Sequence, residues 1–243
     1  MTAELGTCST SALPTSIAAA GSPTGKERHN RRMTPEELLT TTRTVRKRLD
    51  LARPVPLELV KHALQVALQA PSGSNSQRWH WLVITDPGQR AELGKLYRRA
   101  CRDYLDSPNA AGKLFADDPE RSKVQKRVGS SVEYLADRMG EVPVHVIPCL
   151  ETNSAELPAG NQAGLWGNLL PAVWSYMLAA RAVTLGTAWT TLHLAYEREA
   201  AEILGLPENV HQAALIPTAF YTGDTFKPAA RQPLEEVMRL DRW

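Results

Sequence analysis

Cysteine is scarce in this sequence of 243 residues, and the three that occur, Cys8, Cys101 and Cys149, are far apart. No CxxC pair is present, so the chain lacks the spacing that holds zinc or carries out thiol–disulfide exchange. An odd number of scattered cysteines fits a reducing compartment, and we expect a cytoplasmic protein.

Long apolar runs are also missing, and none approaches the roughly 20 residues that a membrane-spanning helix needs. The first residues lack both a basic start and a continuous apolar stretch, which argues against a signal peptide. Residues 1–32 are rich in Ser, Thr, Ala, Gly and Pro and have no helical or strand period. They are predicted to form a disordered tail, with Met33 as an alternative start, ahead of a single domain at 33–243.

The body of the chain has no excess of one charge. The predicted tail holds four of the 28 basic and two of the 26 acidic residues, which leaves 24 of each in residues 33–243. A neutral body argues against a dedicated nucleic-acid surface. We therefore expect neither nucleic acid nor membrane as a partner.

Several catalytic motifs are absent as well. The chain contains no GxGxxG, GxxxxGK[ST], HExxH or GxSxG sequence. The sequence therefore shows no motif for a nucleotide-phosphate loop, for metal-dependent hydrolysis or for serine hydrolysis. No metal site is predicted, and none of the six histidines is placed as a catalytic base. His193, His80 and His145 are predicted to be exposed or satisfied core residues.

Hydrophobic periodicity predicts helices and strands in alternation. The first helix follows a capping box in which Thr34 caps and Glu37 lies three residues on. The predicted helices are 56–69, 89–105, 124–139, 165–185 and 197–204, and the predicted strands are 79–85, 142–150 (interrupted by Pro143 and Pro148), 187–192 and 213–222. Such alternation by itself favours a parallel sheet, although the glycine-rich phosphate loop of those sheets is missing.

Four polar segments remain. They are TTRTVRKRLD at 41–50, PSGSNSQ at 71–77, TLGTAWTTLH at 184–193 and FKPAARQPLEEV at 226–237. In the first, basic side chains crowd around Thr44, which suits either phosphate binding or a solvated charged face. The second also fits a plain helix-to-strand loop, and the third a buried strand end.

In combination these segments resemble the nitroreductase family of FMN-dependent NAD(P)H oxidoreductases. The likeness runs from about residue 36 to 238 and lies in the order of the motifs. An Arg-Arg-Ser-x-Arg type start falls at 42–46, Ala-Pro-Ser-x-x-Asn-x-Gln-x-Trp at 70–79, then a late Leu-Gly segment, and finally a basic tail before Pro-Leu-Glu-Glu-Val. The resemblance implies an α+β fold, with a mixed, mostly antiparallel sheet flanked by helices in an intertwined homodimer, and this replaces the parallel-sheet expectation.

The resemblance also implies a set of cofactor contacts. Arg43, Thr44 and Arg231 would neutralise the FMN phosphate, since the arginine fork donates bidentately. Arg46 would lie at the N1 and O2 edge of the ring, where reduced flavin carries negative charge. Thr42 departs from the family's basic residue, and Lys227 is the expected compensation. The other implied contacts are Pro71, Ser72, Gly73, Asn75 and the supporting Gln77 on one side of the ring, and Trp189, Thr190, Thr191 and Leu192 on the other.

Two further implications concern the pocket. The Thr191 backbone N–H is the expected donor to flavin N5, the atom that exchanges hydride, so no side chain is assigned a catalytic role. Residues 101–130 would form a cover over the pocket, with Tyr104 and Phe115 as substrate contacts. Trp79 and Trp81 are predicted to belong to the core.

The implied activity is a ping-pong cycle in which NADPH or NADH reduces FMN and an electron-poor acceptor, such as a nitroaromatic or quinone, then takes its place. Three alternatives stay open. One is a specialised dehydrogenase, dehalogenase or flavin-cannibalising enzyme of the same superfamily. Another is a protein that binds or sequesters flavin without turnover, and the third treats the basic segments as nucleic-acid contacts.

Overall fold

The computed structural model describes residues 33–224 and 226–243; the predicted tail at 1–32 lies outside them. Two helices precede each of the first three strands along the chain. The helices are α1 (Pro35–Thr41), α2 (Leu57–Ala67), α3 (Pro87–Asp106), α4 (Pro119–Arg138), α5 (Gln162–Gly167), α6 (Leu170–Ala182), α7 (Glu197–Leu204) and α8 (Leu234–Val237). The strands are β1 (Trp79–Ile84), β2 (Val144–Glu151), β3 (Leu185–Thr187), β4 (Val210–Gln212) and β5 (Ile216–Phe220).

The strands form one sheet in the order β1-β2-β5-β3, with β4 also pairing with β2. Every pairing between these strands is antiparallel. The α+β prediction with a mostly antiparallel sheet is therefore confirmed, and the parallel arrangement favoured by alternation alone is wrong.

The sheet lies between two helical layers. On one face, α2 and α6 pack with apolar side chains such as Tyr176 and Val146. On the other face, α3, α4 and α7 pack with Ile147, Leu215 and the segment around Val45. Burial of apolar surface on both faces drives this layering. Trp79 is buried in the first layer's core and Trp81 packs against it, as predicted.

The sequence predicts the capping residue of α1 but not that of α3. Thr34 caps α1 as predicted, its hydroxyl accepting from the Glu37 backbone N–H at 3.1 Å. The helix predicted at 89–105 begins two residues earlier, at Pro87, because Asp86 caps α3 and accepts from the Gln89 N–H at 2.8 Å. Gly205 ends α7 at φ +66°, the left-handed conformation that glycine adopts without strain.

The apolar run at 165–185 was predicted as one helix, and this is wrong. It divides at Asn168 into α5 and α6, because Pro171 lies in the first turn of α6 and has no N–H to continue the preceding helix. The last residues of the run open β3. The strand predicted at 187–192 shrinks to Leu185–Thr187 and one bridge between Thr190 and Leu215.

Pro148 does not interrupt β2, contrary to prediction. It pairs in register with Trp81, and its carbonyl accepts from the Ala213 N–H in the gap between β4 and β5. An N–H at position 148 would face the same gap, so the pairing with β1 loses no hydrogen bond. The short strand β4 was not predicted. No helix in the described part of the chain is long and apolar enough to cross a membrane.

Candidate functional site

The basic segment after α1 is fixed along the free edge of β3. Thr44 forms a parallel bridge with Thr187, and the Val45 N–H donates to the Thr187 carbonyl at 2.7 Å. Val45 and Leu49 point into the core. This anchoring turns the intervening residue Arg46 toward the α3 and α4 layer.

Arg46 is a partly buried cation without a carboxylate. Its guanidinium donates to the Ser131 hydroxyl at 3.3 Å, while its Nε is buried and has no hydrogen-bond partner. Burial lowers the pKa of Arg46, and Tyr97 and Tyr104 oppose this effect. None of the ion pairs among residues 33–224 and 226–243 includes it. The Arg46 guanidinium is thus a positive charge that can interact with an anionic or electron-rich group.

Tyr97 connects Arg46 to a second predicted segment. Its phenol shares a hydrogen bond of 2.9 Å with the Thr190 hydroxyl, and burial raises the pKa of Tyr97 to about 12. Tyr104, a predicted substrate contact, lies near the same guanidinium and accepts from the Ala111 N–H at 2.6 Å. We call these side chains the Arg46 cluster: Arg46, Tyr97, Tyr104, Ser131 and Thr190.

Tyr97 was not identified as a site residue from the sequence. The only signal was its place on the apolar face of α3, where a core role is the ordinary interpretation. The other residues predicted near Thr190 continue the same segment, with Trp189 half-buried, Thr191 exposed and Leu192 half-buried. Thr190 is buried and forms a bridge with Leu215, which fits the predicted alternative of a buried strand end; its site role stays a prediction.

Arg43 meets the C-terminal segment through the backbone. Its guanidinium donates to the Lys227 carbonyl, and its Nε is buried without a partner. The Lys227 side chain is exposed, and so is Arg231, whose guanidinium contacts the adjacent Ala230 carbonyl at 3.3 Å. The structure therefore brings Arg43 and Lys227 together but places Arg231 in no contact with them. Thr42 donates to the Leu38 carbonyl at 2.6 Å and so caps α1.

The 71–77 loop is exposed but defined in conformation. The Gly73 N–H donates to the Asn168 side chain, and a Cβ at Gly73 would come within 2.7 Å of the same amide oxygen. Ser74, Asn75 and Gln77 have φ of 54°, 51° and 48°, which non-glycine residues adopt rarely. The Gln77 amide donates to Asn75 at 2.8 Å, which agrees with its predicted supporting role. Pro71 and Ser72 begin the loop.

Within one chain, the 71–77 loop lies far from the Arg46 cluster. The loop leads into Trp79 at the β1 edge of the sheet, whereas Thr187 is on β3 at the opposite edge. Three strand spacings of about 4.8 Å separate these edges. Trp79 is also level with Leu150 of β2. Thr190 of the Arg46 cluster bridges Leu215, which the register of β2 and β5 places level with Ile147. These levels are roughly 10 Å apart along the strand direction.

The predicted cover corresponds to the end of α3, a connecting loop and the start of α4. Phe115 lies in this loop and is exposed, with the Arg121 guanidinium 3.4 Å from its ring centroid. No hydrogen bond, ion pair or ring contact found among the described residues joins Phe115 to the Arg46 cluster, which includes Tyr104. Among the described residues there is no group of three or more His, Cys, Asp or Glu side chains that could hold a metal ion.

Comparison with known proteins supports the family resemblance. Among curated relatives, an iodotyrosine deiodinase of Nematostella vectensis is 26% identical over 202 residues, which cover 82% of this chain and 71% of the relative. A chloronitrobenzene nitroreductase of Comamonas testosteroni is 46% identical over 85 residues, 35% of either chain. A structure of oxidized iodotyrosine deiodinase bound to FMN and 3-iodo-L-tyrosine matches with a TM-score of 0.63 at 19% identity, covering 86% of this chain and 99% of that chain. The sequence also matches the Nitroreductase family over residues 39–219, and the chain therefore belongs to the nitroreductase family.

Proposed function

We propose that the protein is an FMN-dependent oxidoreductase that uses NADPH or NADH to reduce electron-poor acceptors such as nitroaromatics and quinones. The single observation that carries this is Arg46, a partly buried cation near Tyr97 with no ion pair to a carboxylate among the described residues. Family membership supports a flavoprotein oxidoreductase, and the similar deiodinase structure contains FMN.

The residues present fit FMN. The buried guanidinium Nε atoms of Arg43 and Arg46 have no hydrogen-bond partner among the described residues, and both belong to the segment proposed to face the phosphate and the N1 and O2 edge. Thr44 and the C-terminal Lys227 and Arg231 complete the proposed phosphate side. The 71–77 loop and residues 189–192 are proposed to hold the ring.

FMN, when bound, supplies hydride transfer at its N5 atom. The protein's own groups hold charge and hydrogen bonds in place. The Arg46 guanidinium favours negative charge next to it, because a fixed cation in a partly buried site is screened little by water. With a pKa of about 12, Tyr97 keeps its proton near neutral pH and orients Thr190. No described side chain near the Arg46 cluster is needed as a nucleophile.

Reductive dehalogenation is the second candidate reaction. It is favoured by the relatives, since iodotyrosine deiodinases from Rattus norvegicus and Nematostella vectensis match over most of this chain. The shorter match to a chloronitrobenzene nitroreductase favours nitro reduction. The two are separated by supplying a reduced sample with either a chloronitrobenzene or 3-iodotyrosine and following the loss of each compound.

The proposed function predicts that FMN-loaded protein has visible flavin bands that NADPH or NADH bleaches anaerobically. Replacing Arg46→Gln is expected to slow bleaching about 100-fold, since a fixed group that stabilises developing charge contributes on that scale. Lys47→Gln is the control, because Lys47 is exposed and reaches Ser130 on the same helix as Ser131. Stopped-flow absorbance measures both rates.

Two results would contradict the proposal. A sample that stays colourless after soaking with FMN would remove the cofactor assignment as a whole. Flavin that binds but resists bleaching by either nicotinamide would point to a flavin-sequestering protein. Equal rates for the Arg46 and Lys47 variants would remove the role given to Arg46.

We also propose that the protein works as a homodimer. The C-terminal residues expose large apolar side chains, with Trp243 99% exposed, and exposure of this kind typically marks a contact surface. The others are Leu234, Val237, Met238 and Leu240. A groove of about 530 Å³ between α1, α2 and α6 is lined by apolar side chains that include Leu38, Val66 and Leu178. Two copies would cover both features.

Removing residues 232–243 is expected to shift the protein from dimer to monomer, because it deletes all five exposed apolar side chains of the C-terminus. Light scattering coupled to size-exclusion chromatography measures the mass. Arg242→Ala in the full-length chain serves as the control, since it changes the same segment without removing apolar area. A full-length protein that runs as a monomer at micromolar concentration would overturn the dimer.

A further inference from the structure

Phe226 lies among three arginines, none of which is in the sheet. Its ring centroid is 4.1 Å from the Arg48 guanidinium, 4.8 Å from that of Arg181 and 6.0 Å from that of Arg43. The Tyr221 ring packs against it at 5.1 Å. A guanidinium within about 6 Å of an aromatic ring is attracted to its face. The arrangement makes Phe226 the centre of a cation–aromatic clamp.

One arm of the clamp is fixed by backbone pairing. The segment at 48–50 pairs with the chain leaving β5, with the Asp50 N–H bonded to the Phe220 carbonyl at 2.7 Å and the Thr222 N–H to the Arg48 carbonyl at 2.8 Å. The Arg48 side chain donates to the Thr222 carbonyl at 2.6 Å. Gly223 has φ +79°, and a Cβ there would come within 2.7 Å of the Arg48 guanidinium. The Arg48 guanidinium therefore lies over the ring, in space that a side chain at position 223 would occupy.

The other arm is Arg181, in the last turn of α6. Only 7% of this residue is exposed. It donates to the Tyr221 phenol, and its guanidinium lies 4.8 Å from the centroids of both Tyr221 and Phe226. None of the ion pairs among residues 33–224 and 226–243 includes Arg181. Its guanidinium therefore contacts two aromatic rings and the Tyr221 hydroxyl, while its Nε is buried without a partner among the described residues.

The clamp on Phe226 affects the position of the next residue, Lys227. Lys227 presents its backbone carbonyl to the Arg43 guanidinium, so the clamp on Phe226 decides where that acceptor lies. A guanidinium held through one of its nitrogens has a defined direction for the remaining donors. The Arg43 Nε, which has no partner among the described residues, takes its direction from this contact.

We propose that Phe226 is a positioning residue: held between Arg48 and Arg181, it fixes the Lys227 carbonyl on Arg43 and thereby aims the Arg43 guanidinium at the phosphate of FMN. The inference rests on the proposed function and deepens it. Phe226 does not touch the cofactor in this scheme. Its effect is confined to the phosphate, because the ring-facing residues lie on other segments.

The test compares FMN with riboflavin, which lacks the phosphate. Dissociation constants are measured by flavin fluorescence quenching for the full-length protein and for Phe226→Leu, which keeps apolar volume but removes the ring. Weakening of FMN binding by about tenfold is expected, since hydrogen bonds to charged groups contribute on this scale. Riboflavin binding is expected to change less than twofold. Phe226→Tyr, which keeps the ring, is expected to restore the FMN affinity.

A double-mutant cycle shows whether the effect passes through Arg43. In an Arg43→Met background, Phe226→Leu is expected to change FMN affinity little further, because a residue that acts only through Arg43 has nothing left to position. Gly223→Ala provides an independent disturbance that keeps the Phe226 side chain, since its Cβ would meet the Arg48 guanidinium at 2.7 Å and its φ of +79° disfavours alanine. It is expected to weaken FMN selectively in the same way.

The outcomes separate the two proposals. If the unmodified protein binds no FMN, the proposed function fails and this inference falls with it. If that protein binds FMN but Phe226→Leu and Gly223→Ala leave the affinity within twofold, only the positioning role is overturned. It is equally overturned if either variant weakens FMN and riboflavin to the same extent, or if the Arg43 and Phe226 effects are additive.

Discussion

Acidification from pH 7 to pH 4 is expected to lower the free energy of unfolding by up to about 3 kcal/mol for each of two buried histidines, His145 and His193. Burial lowers the pKa of both to about 4, whereas an unfolded histidine titrates near 6.5. Between pH 6.5 and pH 4 these two histidines are therefore protonated in the unfolded state but remain largely neutral in the folded state. The stability they contribute is fully present above pH 6.5 and is lost as the pH falls to 4.

The side-chain contacts explain why these histidines resist protonation. The His145 Nε2 lies 2.9 Å from the Met139 carbonyl and donates to it, so the second proton would have to enter at Nδ1, which is buried without a partner. Neither ring nitrogen of His193 has a well-formed hydrogen bond among the described residues. The nearby Gln212 side chain only partly opposes the effect of burial, and His145 adds to it. The cation of Arg90 acts in the same direction on His145.

Urea unfolding at a series of pH values between 7 and 4 measures the effect. His193→Gln cannot gain a proton, so it is expected to reduce the slope of the unfolding free energy against pH by the amount that corresponds to about one bound proton. His62→Gln is the matched control, since His62 is exposed on α2. A free energy of unfolding that stays level down to pH 4.5, or a slope that His193→Gln leaves unchanged, would contradict the assignment.

The burial of His193 without a hydrogen-bond partner among the described residues could not be predicted from the sequence. The sequence predicted an exposed or satisfied histidine, yet the structure buries it with neither nitrogen paired. It follows a strand end in a short 3-10 turn, Leu192–Tyr196, and no periodicity tells which side of such a turn faces the core. Its neighbours His145 and Gln212 come from β2 and β4, elements that are far away in sequence.

The presence of the 71–77 loop could be anticipated from the sequence. Glycine, asparagine and small hydroxyl residues after a helix predict a loop, and a loop is found. The positive φ values of Ser74, Asn75 and Gln77 were not predicted, because Gly73, the residue best suited to such angles, does not adopt one. Arg46 was likewise singled out by its motif. Tyr97 was missed because its significance depends on Thr190, a contact across 93 residues.

The separation between the loop and the Arg46 cluster could not be read from the sequence at all. Every motif is recognisable in linear order, but strand order decides that β1 and β3 are opposite edges of the sheet. If one flavin contacts both groups of residues, we expect it to require the loop of one chain and the Arg46 cluster of another. This requirement gives the proposed homodimer a role in the site itself.

Mixing two inactive variants is accordingly expected to restore NADPH oxidation with a nitroaromatic acceptor. Arg46→Glu places a negative charge in the Arg46 cluster, and Gly73→Val forces a side chain against Asn168 and displaces the loop. In a mixed dimer, one site receives both substitutions and the other receives neither. Random re-pairing makes half of the dimers mixed, so about one quarter of all sites, and of the original activity, is expected to return.

A flavin site built within one chain predicts the opposite result. If Arg46 and the 71–77 loop of the same chain held one flavin, each protomer of a mixed dimer would still carry its own defect, and no activity would return. The two variants are unfolded in urea together, refolded as a mixture and assayed beside each variant refolded alone. A mixture no more active than the separate samples, once mixed dimers are verified by mass, would contradict the shared site. Recovery near one quarter would support it, because only a site divided between protomers can be rebuilt from two chains that are each inactive.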